Sequence, residues 1–196
     1  GRVFSDAIVH TALSSIAGMY LLGDGPTGAK PFGVYRPASV PADLVPQQVH
    51  IGARPPLVVT SPQPTPPATS LAVEDLPKPG PDWSQQPTVN APLGVVVGAR
   101  SGDKGANANL GVFVREAAQF GWLDEFLTVD RLKDLLPEVR PLTVHRYRLP
   151  NLNAVNFVIE ALLEEGVAAC SRQDRQAKAL GEWLRSRVVP IPASLL

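Results

Sequence analysis

Eleven prolines fall between residues 53 and 92, and this density constrains the fold of the 196-residue chain more than any other feature. Proline fixes φ and has no backbone N–H, so neither a helix nor a central strand can run through such a segment. Runs such as 61–67 favour polyproline II, which is a semi-rigid extended spacer. We therefore predict a linker over residues 53–92, with a docking motif for an aromatic-lined groove as the alternative.

Residues 1–52 contain little that could close a hydrophobic core. One helix is predicted from Asp6 to about Leu22, and the glycines of 23–28 indicate turns because glycine accepts positive φ. A short extended run follows at 46–51. Because these residues cannot close a core of their own, we expect residues 1–52 to be the C-terminal tail of a larger α/β domain. The chain begins at Gly1 rather than Met, so we expect it to be processed, truncated or cut from something longer.

Residues 93–196 contain strand and helix patterns, which makes them the candidate globular domain. The predicted strands are 93–98, 110–114, 142–149 and 188–191, and the predicted helices are 117–127, 128–136, 151–163 and 173–187. Thr128 is a predicted N-cap, Pro137 a predicted helix stop and Trp183 a predicted core residue. Three or four strands with helices on one face form a small two-layer α+β sandwich.

The charge balance and the cysteine count exclude several classes of protein. Eighteen basic and eighteen acidic side chains cancel, so no long-range field steers the chain to nucleic acid or to an anionic membrane. The apolar stretch 3–22 contains Asp6 and His10, and their cost in a bilayer argues against a membrane span. Cys170 is the single cysteine, which excludes an intrachain disulfide and predicts a cytoplasmic protein. With three scattered histidines it cannot build a zinc site, and no metal or cofactor is predicted.

The most informative segment is 98–109, which combines glycines, one acid, two bases and two amides between two predicted strands. Consecutive N–H groups in a glycine-rich turn can bind an anion, and Arg100 and Lys104 add positive charge. A phosphate, a carboxylate or the phosphates of a coenzyme A thioester would suit such a loop. The alternative is a hairpin whose turn needs Gly102 and Gly105 for positive φ.

Nucleotide-binding patterns fit this segment poorly. Lys104 is followed by Gly105, where a Walker A motif needs Ser or Thr, and the third glycine of a dinucleotide fingerprint is missing. Residues 102–105 do match the G-x-x-G pattern of KH domains, so a KH-like nucleic-acid binder is a remote alternative. The carboxylate of Asp103 beside a phosphate argues against it.

A second polar cluster lies at 146–156, where asparagines stand at a predicted strand-to-helix junction. Asn151 can cap the predicted helix, and helix N-terminal amides would also point at a ligand there. Asn156 lies among apolar residues, so its amide needs a partner and could connect to the glycine-rich loop.

The other polar candidates have ordinary explanations. Ser101 has no histidine nearby in the sequence, and Cys170 fits a small core residue. Asp174 and Lys178 are four residues apart on a predicted helix, which is typical of a surface pair. No nucleophile–base pair is readable from the sequence.

Three segments resemble the C-terminal domain of AtuA (acyclic terpene utilisation) family proteins. They are Gly98–Asn107 (GARSGDKGAN), Leu149–Phe157 (LPNLNAVNF), and Asp174 together with Lys178–Gly181 (KALG). Residues 32–41 are similar to the closing stretch of that family's N-terminal domain. The resemblance implies a ferredoxin-like domain. It also implies a role in the catabolism of acyclic terpenes such as citronellol and geraniol, which runs through coenzyme A thioesters.

Two functional hypotheses follow from the residues and the resemblance. In the first, the domain is a catalytic or substrate-binding portion of an enzyme acting on a branched acyl-CoA or a related carbonyl compound. Asp103 and Lys104 are then the catalytic candidates. The candidate ligand-binding residues are Arg100, Ser101, Gly102, Gly105, Asn107, Asn109, Asn151, Asn153 and Asn156. In the second, the domain is a non-enzymatic module that forms oligomers or docks on the N-terminal AtuA-like domain or a partner subunit.

Overall fold

The computed structural model describes residues 2–20, 31–34, 36–60 and 81–196. The chain divides after Gly33 into two units, and each is described by itself. The predicted turns at 23–28 and the predicted polyproline segment at 61–67 lie outside the described residues.

In the first unit, the helix α1 spans Val3–Leu13 and contains no buried residue. The prediction of a helix from Asp6 to Leu22 was therefore wrong at both of its bounds. The helix stops at Leu13 because Ser15 and Gly18 adopt positive φ, which a right-handed helix does not contain.

The described residues of the second unit form antiparallel strands and three α-helices, besides short 3-10 helices. The strands are β1 Gln47–Val49, β2 Leu57–Val59, β3 Thr88–Pro92, β4 Gly98–Lys104, β5 Asn107–Phe113, β6 Val144–Leu149, β7 Ala154–Ile159 and β8 Val188–Pro192. The helices are α2 Ala117–Phe126, α3 Val129–Leu135 and α4 Leu180–Arg185. Strands β4, β5, β7 and β6 pair in that order into a four-stranded sheet, while β1 pairs with β2 and β3 with β8.

One face of the four-stranded sheet forms the hydrophobic core. Because side chains alternate along a strand, β5 and β7 place Leu110, Val112 and Phe157 on the same face, where all three are buried. Leu123 of α2 and Leu184 of α4 belong to the same core cluster. The predicted fold class, a small two-layer α+β sandwich, is confirmed.

The starts of α2 and α3 follow local sequence signals. Glu116 and Gln119 form a capping box at the start of α2. The hydroxyl of Thr128 accepts a hydrogen bond from the Arg131 N–H at 3.1 Å, as predicted for an N-cap. The helix α3 ends before Pro137, also as predicted.

Strand β8 contains the predicted edge strand 188–191, and its partner β3 lies at the end of the predicted linker. A two-stranded ladder can include Pro92, Pro190 and Pro192 because proline is tolerated in edge strands. From β5 onward the chain follows the order strand, helices, strand, strand, helix, strand. Beside β5, on the side away from β7, the sheet contains β4, whereas the last strand, β8, pairs with β3 in a separate two-stranded ladder.

The prediction of a strand at 93–98 was wrong. Residues Leu93–Val95 form a 3-10 helix, and the strand β4 begins only at Gly98. Leu93, Val96 and Val97 are buried, and their spacing of three and four is that of a helical turn. The polar segment predicted as a loop is therefore itself the β4–β5 hairpin.

The prediction of a helix from Asn151 to Leu163 was also wrong. Pro150–Leu152 is a 3-10 helix, Asn153 adopts the left-handed conformation with φ 48°, and β7 follows. Strand β7 pairs with β5 on one side and with β6 on the other. This central position satisfies its backbone N–H and C=O groups on both edges.

The last helix is shorter than predicted. Ala177 has φ 52°, which breaks the predicted helix 173–187, and α4 begins at Leu180. Trp183, predicted to be buried, is 37% exposed. The Arg187 guanidinium lies over its ring at 4.7 Å, so a cation covers one face of the indole.

Residues 36–60 place apolar side chains in solvent. The β1–β2 hairpin has no buried residue, and Leu57, Val58 and Val59 are 62%, 69% and 43% exposed. Across the part of the chain that the structure describes, no helix is long and apolar enough to cross a membrane.

Candidate ligand-binding face

Strand alternation divides the predicted polar motif between the two faces of the sheet. Ser101 and Asp103 lie on the face that carries the core, which we call the helix face. Arg100, Gly102 and Lys104 lie on the opposite face, which we call the open face. Asp103 and Lys104 follow each other in β4, and successive side chains of a strand point to opposite faces. The side chains of the two catalytic candidates therefore lie on different faces of the sheet.

The centre of the open face has a floor of glycine. Across the strands, Arg100 is level with Gly111 and Asn156, and Gly102 is level with Asn109. A methyl group added at Gly111 would lie 3.6 Å from Asn156 Oδ1, and one added at Gly102 would lie 4.0 Å from Asn109 Oδ1. The two glycines carry no side chain, so the surface between the two amides is low, and we call it the depression; Gly102 itself is buried and Gly111 is half-buried.

Asn109 and Asn156 are tied to each other. Asn109 Nδ2 donates to Asn156 Oδ1 at 3.3 Å in a half-buried position. This bond supports the expected connection between Asn156 and the glycine-rich segment, although Asn156 lies in a strand and not in a helix. An amide carries both a donor and an acceptor, so each side chain has a second polar atom with which to bind a ligand.

Lys178 also reaches this depression, which the sequence did not reveal. Its Nζ would lie 3.7 Å from a methyl group added at Gly102. The surface pair predicted between Asp174 and Lys178 is instead a backbone contact, in which Asp174 Oδ1 accepts from the Lys178 N–H at 2.9 Å. Gly111, inside β5, is a second residue of this face that the sequence did not reveal, although glycine in a strand often marks a place where a ligand or another backbone approaches closely.

The predicted residues at the hairpin turn have structural partners. The hairpin alternative predicted positive φ at both Gly102 and Gly105. Gly105 has φ 66° at the first of the two turn positions, whereas Gly102 does not have positive φ. Asn107 Oδ1 accepts from the Ala161 N–H at 3.0 Å, and Lys104 Nζ donates to the Asp103 carbonyl at 3.0 Å.

Asn151 and Asn153 lie at the other end of the sheet. Asn153 precedes β7, and its carbonyl accepts from the Val114 N–H at 3.0 Å. Along β7, this end is about 17 Å from the end that pairs with the hairpin turn. The exposed Asn151 does not cap a helix. The structure therefore separates these two residues from Gly102 and Gly105.

The second unit also has concavities that do not include the depression. One of about 420 Å³ is lined by Glu138, Arg172 and Trp183, and one of about 330 Å³ by Gly94, Arg115 and other residues. None of the residues that form the depression lines either of them. Among the described residues, no group of three or more His, Cys, Asp or Glu side chains could hold a metal ion.

Comparison with known protein families gives a match to the second unit. The model of the AtuA ferredoxin-like domain matches residues 91–190, which is 100 of the 196 residues. No curated protein and no solved structure matches the chain. The matched range contains the four-stranded sheet, its helices and the whole of the open face. The chain therefore belongs to the AtuA family and carries its ferredoxin-like domain.

Proposed function

We propose that the open face binds an anionic, carbonyl-bearing ligand of the acyl-CoA type. The observation that carries the proposal is the glycine-floored depression, with the bonded amides of Asn109 and Asn156 beside Arg100 and Lys178. Cationic side chains bind phosphate or carboxylate, and amides bind carbonyl oxygens. The protein would then serve the cytoplasmic catabolism of acyclic terpenes or branched acyl-CoA compounds.

The contacts favour binding over chemistry for this domain. Ser101 Oγ is engaged by the backbone of the segment that leads into α4, and Asp103 projects to the helix face. A nucleophile needs a base within hydrogen-bond reach, and neither residue is arranged in that way on the open face. The domain would hold the ligand, and groups outside this face would perform any reaction.

The Gly102→Ala variant tests this proposal on the full chain. Gly102 lacks positive φ and a new methyl group would have no contact shorter than 3.7 Å, so the melting temperature should not fall. The methyl group fills the floor, so affinity for coenzyme A or acetyl-CoA, measured by titration calorimetry, should drop about tenfold or more.

Gly33→Ala is the matched control, because a methyl group there would meet nothing within 4 Å. It should leave the affinity of the chain for coenzyme A unchanged. Equal affinity of Gly102→Ala and the unsubstituted chain, or no binding by the unsubstituted chain, would contradict the proposal.

The exposed apolar hairpin favours a second candidate function, docking. An isolated two-stranded hairpin is at best marginally stable in water, and the apolar side chains of β1 and β2 are exposed. We propose that residues 36–60 pack on an N-terminal AtuA-like domain.

Leu57→Glu should then abolish co-elution with that domain, whereas Gln48→Glu in the same hairpin should preserve it. Co-elution of the Leu57→Glu chain would refute docking through this hairpin.

A further inference from the structure

We infer that Lys178 is the cation that contacts the anionic group of the ligand on the open face, and that Ser101 is a positioning residue for it. The inference rests on the proposed function of that face. It also changes the role of Ser101, which was predicted to bind the ligand directly.

The backbone around Lys178 is held on both sides. Asp174 accepts hydrogen bonds from the N–H groups of Lys178 and Ala179, each at 2.9 Å. Ser101 Oγ donates to the Lys178 carbonyl at 3.3 Å and accepts from the Gly181 N–H at 2.9 Å. One hydroxyl therefore joins β4 to the residues on either side of the start of α4.

Gly181 allows this contact to be close. A methyl group added there would lie 3.3 Å from Ala99 Cβ and 3.4 Å from Ser101 Oγ, which is tighter than most side chains achieve. The start of α4 therefore lies directly against β4, which is an edge strand. Since β4 is an edge, the Lys178 side chain can pass around it and place Nζ near Gly102.

Three polar segments of the chain meet at this point. Residues 98–107 supply Gly102 and Ser101, the segment 149–157 supplies Asn156, and Lys178–Gly181 supplies the ammonium group and its anchors. The nearby carboxylate of Asp174 is occupied by two backbone N–H groups. The ligand group that fits beside an ammonium and two amides is a phosphate or a carboxylate.

The test compares Lys178→Met with Lys133→Met in the full chain. Coenzyme A and isovalerate are titrated separately at low salt, so that a phosphate and a carboxylate can be distinguished. Losing one charge-assisted hydrogen bond should weaken binding of the recognised probe about tenfold or more. Lys133 belongs to α3, and its substitution should leave both affinities unchanged.

A double-mutant cycle tests the role of Ser101. Ser101→Ala should weaken binding when Lys178 is present and should have no further effect in the Lys178→Met background, because it acts through Lys178. A general structural role would weaken binding equally in both backgrounds. If Ser101→Ala does not fold, Ser101→Thr keeps a hydroxyl and should retain the wild-type affinity.

The outcomes separate the inference from the function on which it rests. If the unsubstituted chain binds neither probe, the proposed function and the inference both fall. If it binds and Lys178→Met binds equally well, only the assignment of Lys178 is overturned. Equal effects of Ser101→Ala in the two backgrounds overturn the positioning role of Ser101.

Discussion

Asp124 shows how a single buried charge can connect the two layers of the domain. Its side chain is 4% exposed, and it pairs with Arg146 at 2.8 Å and with Arg148 at 2.9 Å. Arg146 also donates from Nε to the Leu127 carbonyl at 2.9 Å. These bonds join the end of α2 to the edge strand β6. The ion pairs therefore add a directional constraint at the sheet edge.

Replacing Asp124 by Ala should lower the free energy of unfolding by about 3–5 kcal/mol, because two arginines would lose their shared carboxylate. Urea denaturation followed by circular dichroism measures the change. Asp134→Ala is the control, since Asp134 is 65% exposed and its oxygen is 3.9 Å from Arg140. That control should change stability by less than about 1 kcal/mol. Similar losses in the two variants would mean that the buried pairs contribute little.

At the scale of elements, the 3-10 turn before β7 sets where that strand begins. Asn153 holds φ 48° at its end, and the strand runs extended from Ala154. Asparagine tolerates this left-handed conformation better than most residues. The same turn brings the Asn153 carbonyl to the Val114 N–H, which closes the sheet beyond the end of β5.

Asn153→Ala should therefore destabilise the domain by about 1–2 kcal/mol, since alanine is strained at this φ. Asn153→Gly should be nearly neutral because glycine is not strained there. Thermal unfolding of the two variants measures the difference. If alanine and glycine are tolerated equally, backbone strain at this turn does not determine the start of β7.

On the scale of the whole second unit, the domain boundary at residue 93 is a prediction from the sequence. The pairing of β3 with β8 bears on that prediction. Strand β3 supplies all the partners of β8. Trp83 and Ala91 are half-buried against the core. Residues 81–92 thus contribute both a ladder and apolar contacts to the sandwich.

A fragment of residues 81–196 should unfold cooperatively, and a fragment of 93–196 should be less stable by about 2 kcal/mol or more, because it loses those contacts. Chemical denaturation of both fragments provides the comparison. Equal stability would show that the sandwich is complete without β3. Residues 36–60 of the second unit should show little protection in amide exchange.

Local signals in the sequence were sufficient for the elements that depend on local chemistry. The Thr128 cap, the stop before Pro137 and the edge strand at 188–191 each follow from the chemistry of one or two residues. Four residues of the candidate face, Arg100, Gly102, Asn109 and Asn156, were also predicted from the sequence, because glycines, amides and charges are rare together in a short segment.

Only the tertiary structure decided the remaining elements and the arrangement of the face. Residues 154–159 fit a helix by their apolar spacing and a strand by their alternation, and the ladders on both sides of β7 select the strand. The polar segment 98–104 could pair as a strand because one of its faces is open to solvent. Lys178 joins the candidate face only because α4 packs on the edge of β4. Contacts between residues nearly eighty positions apart leave no periodic signal in a single sequence.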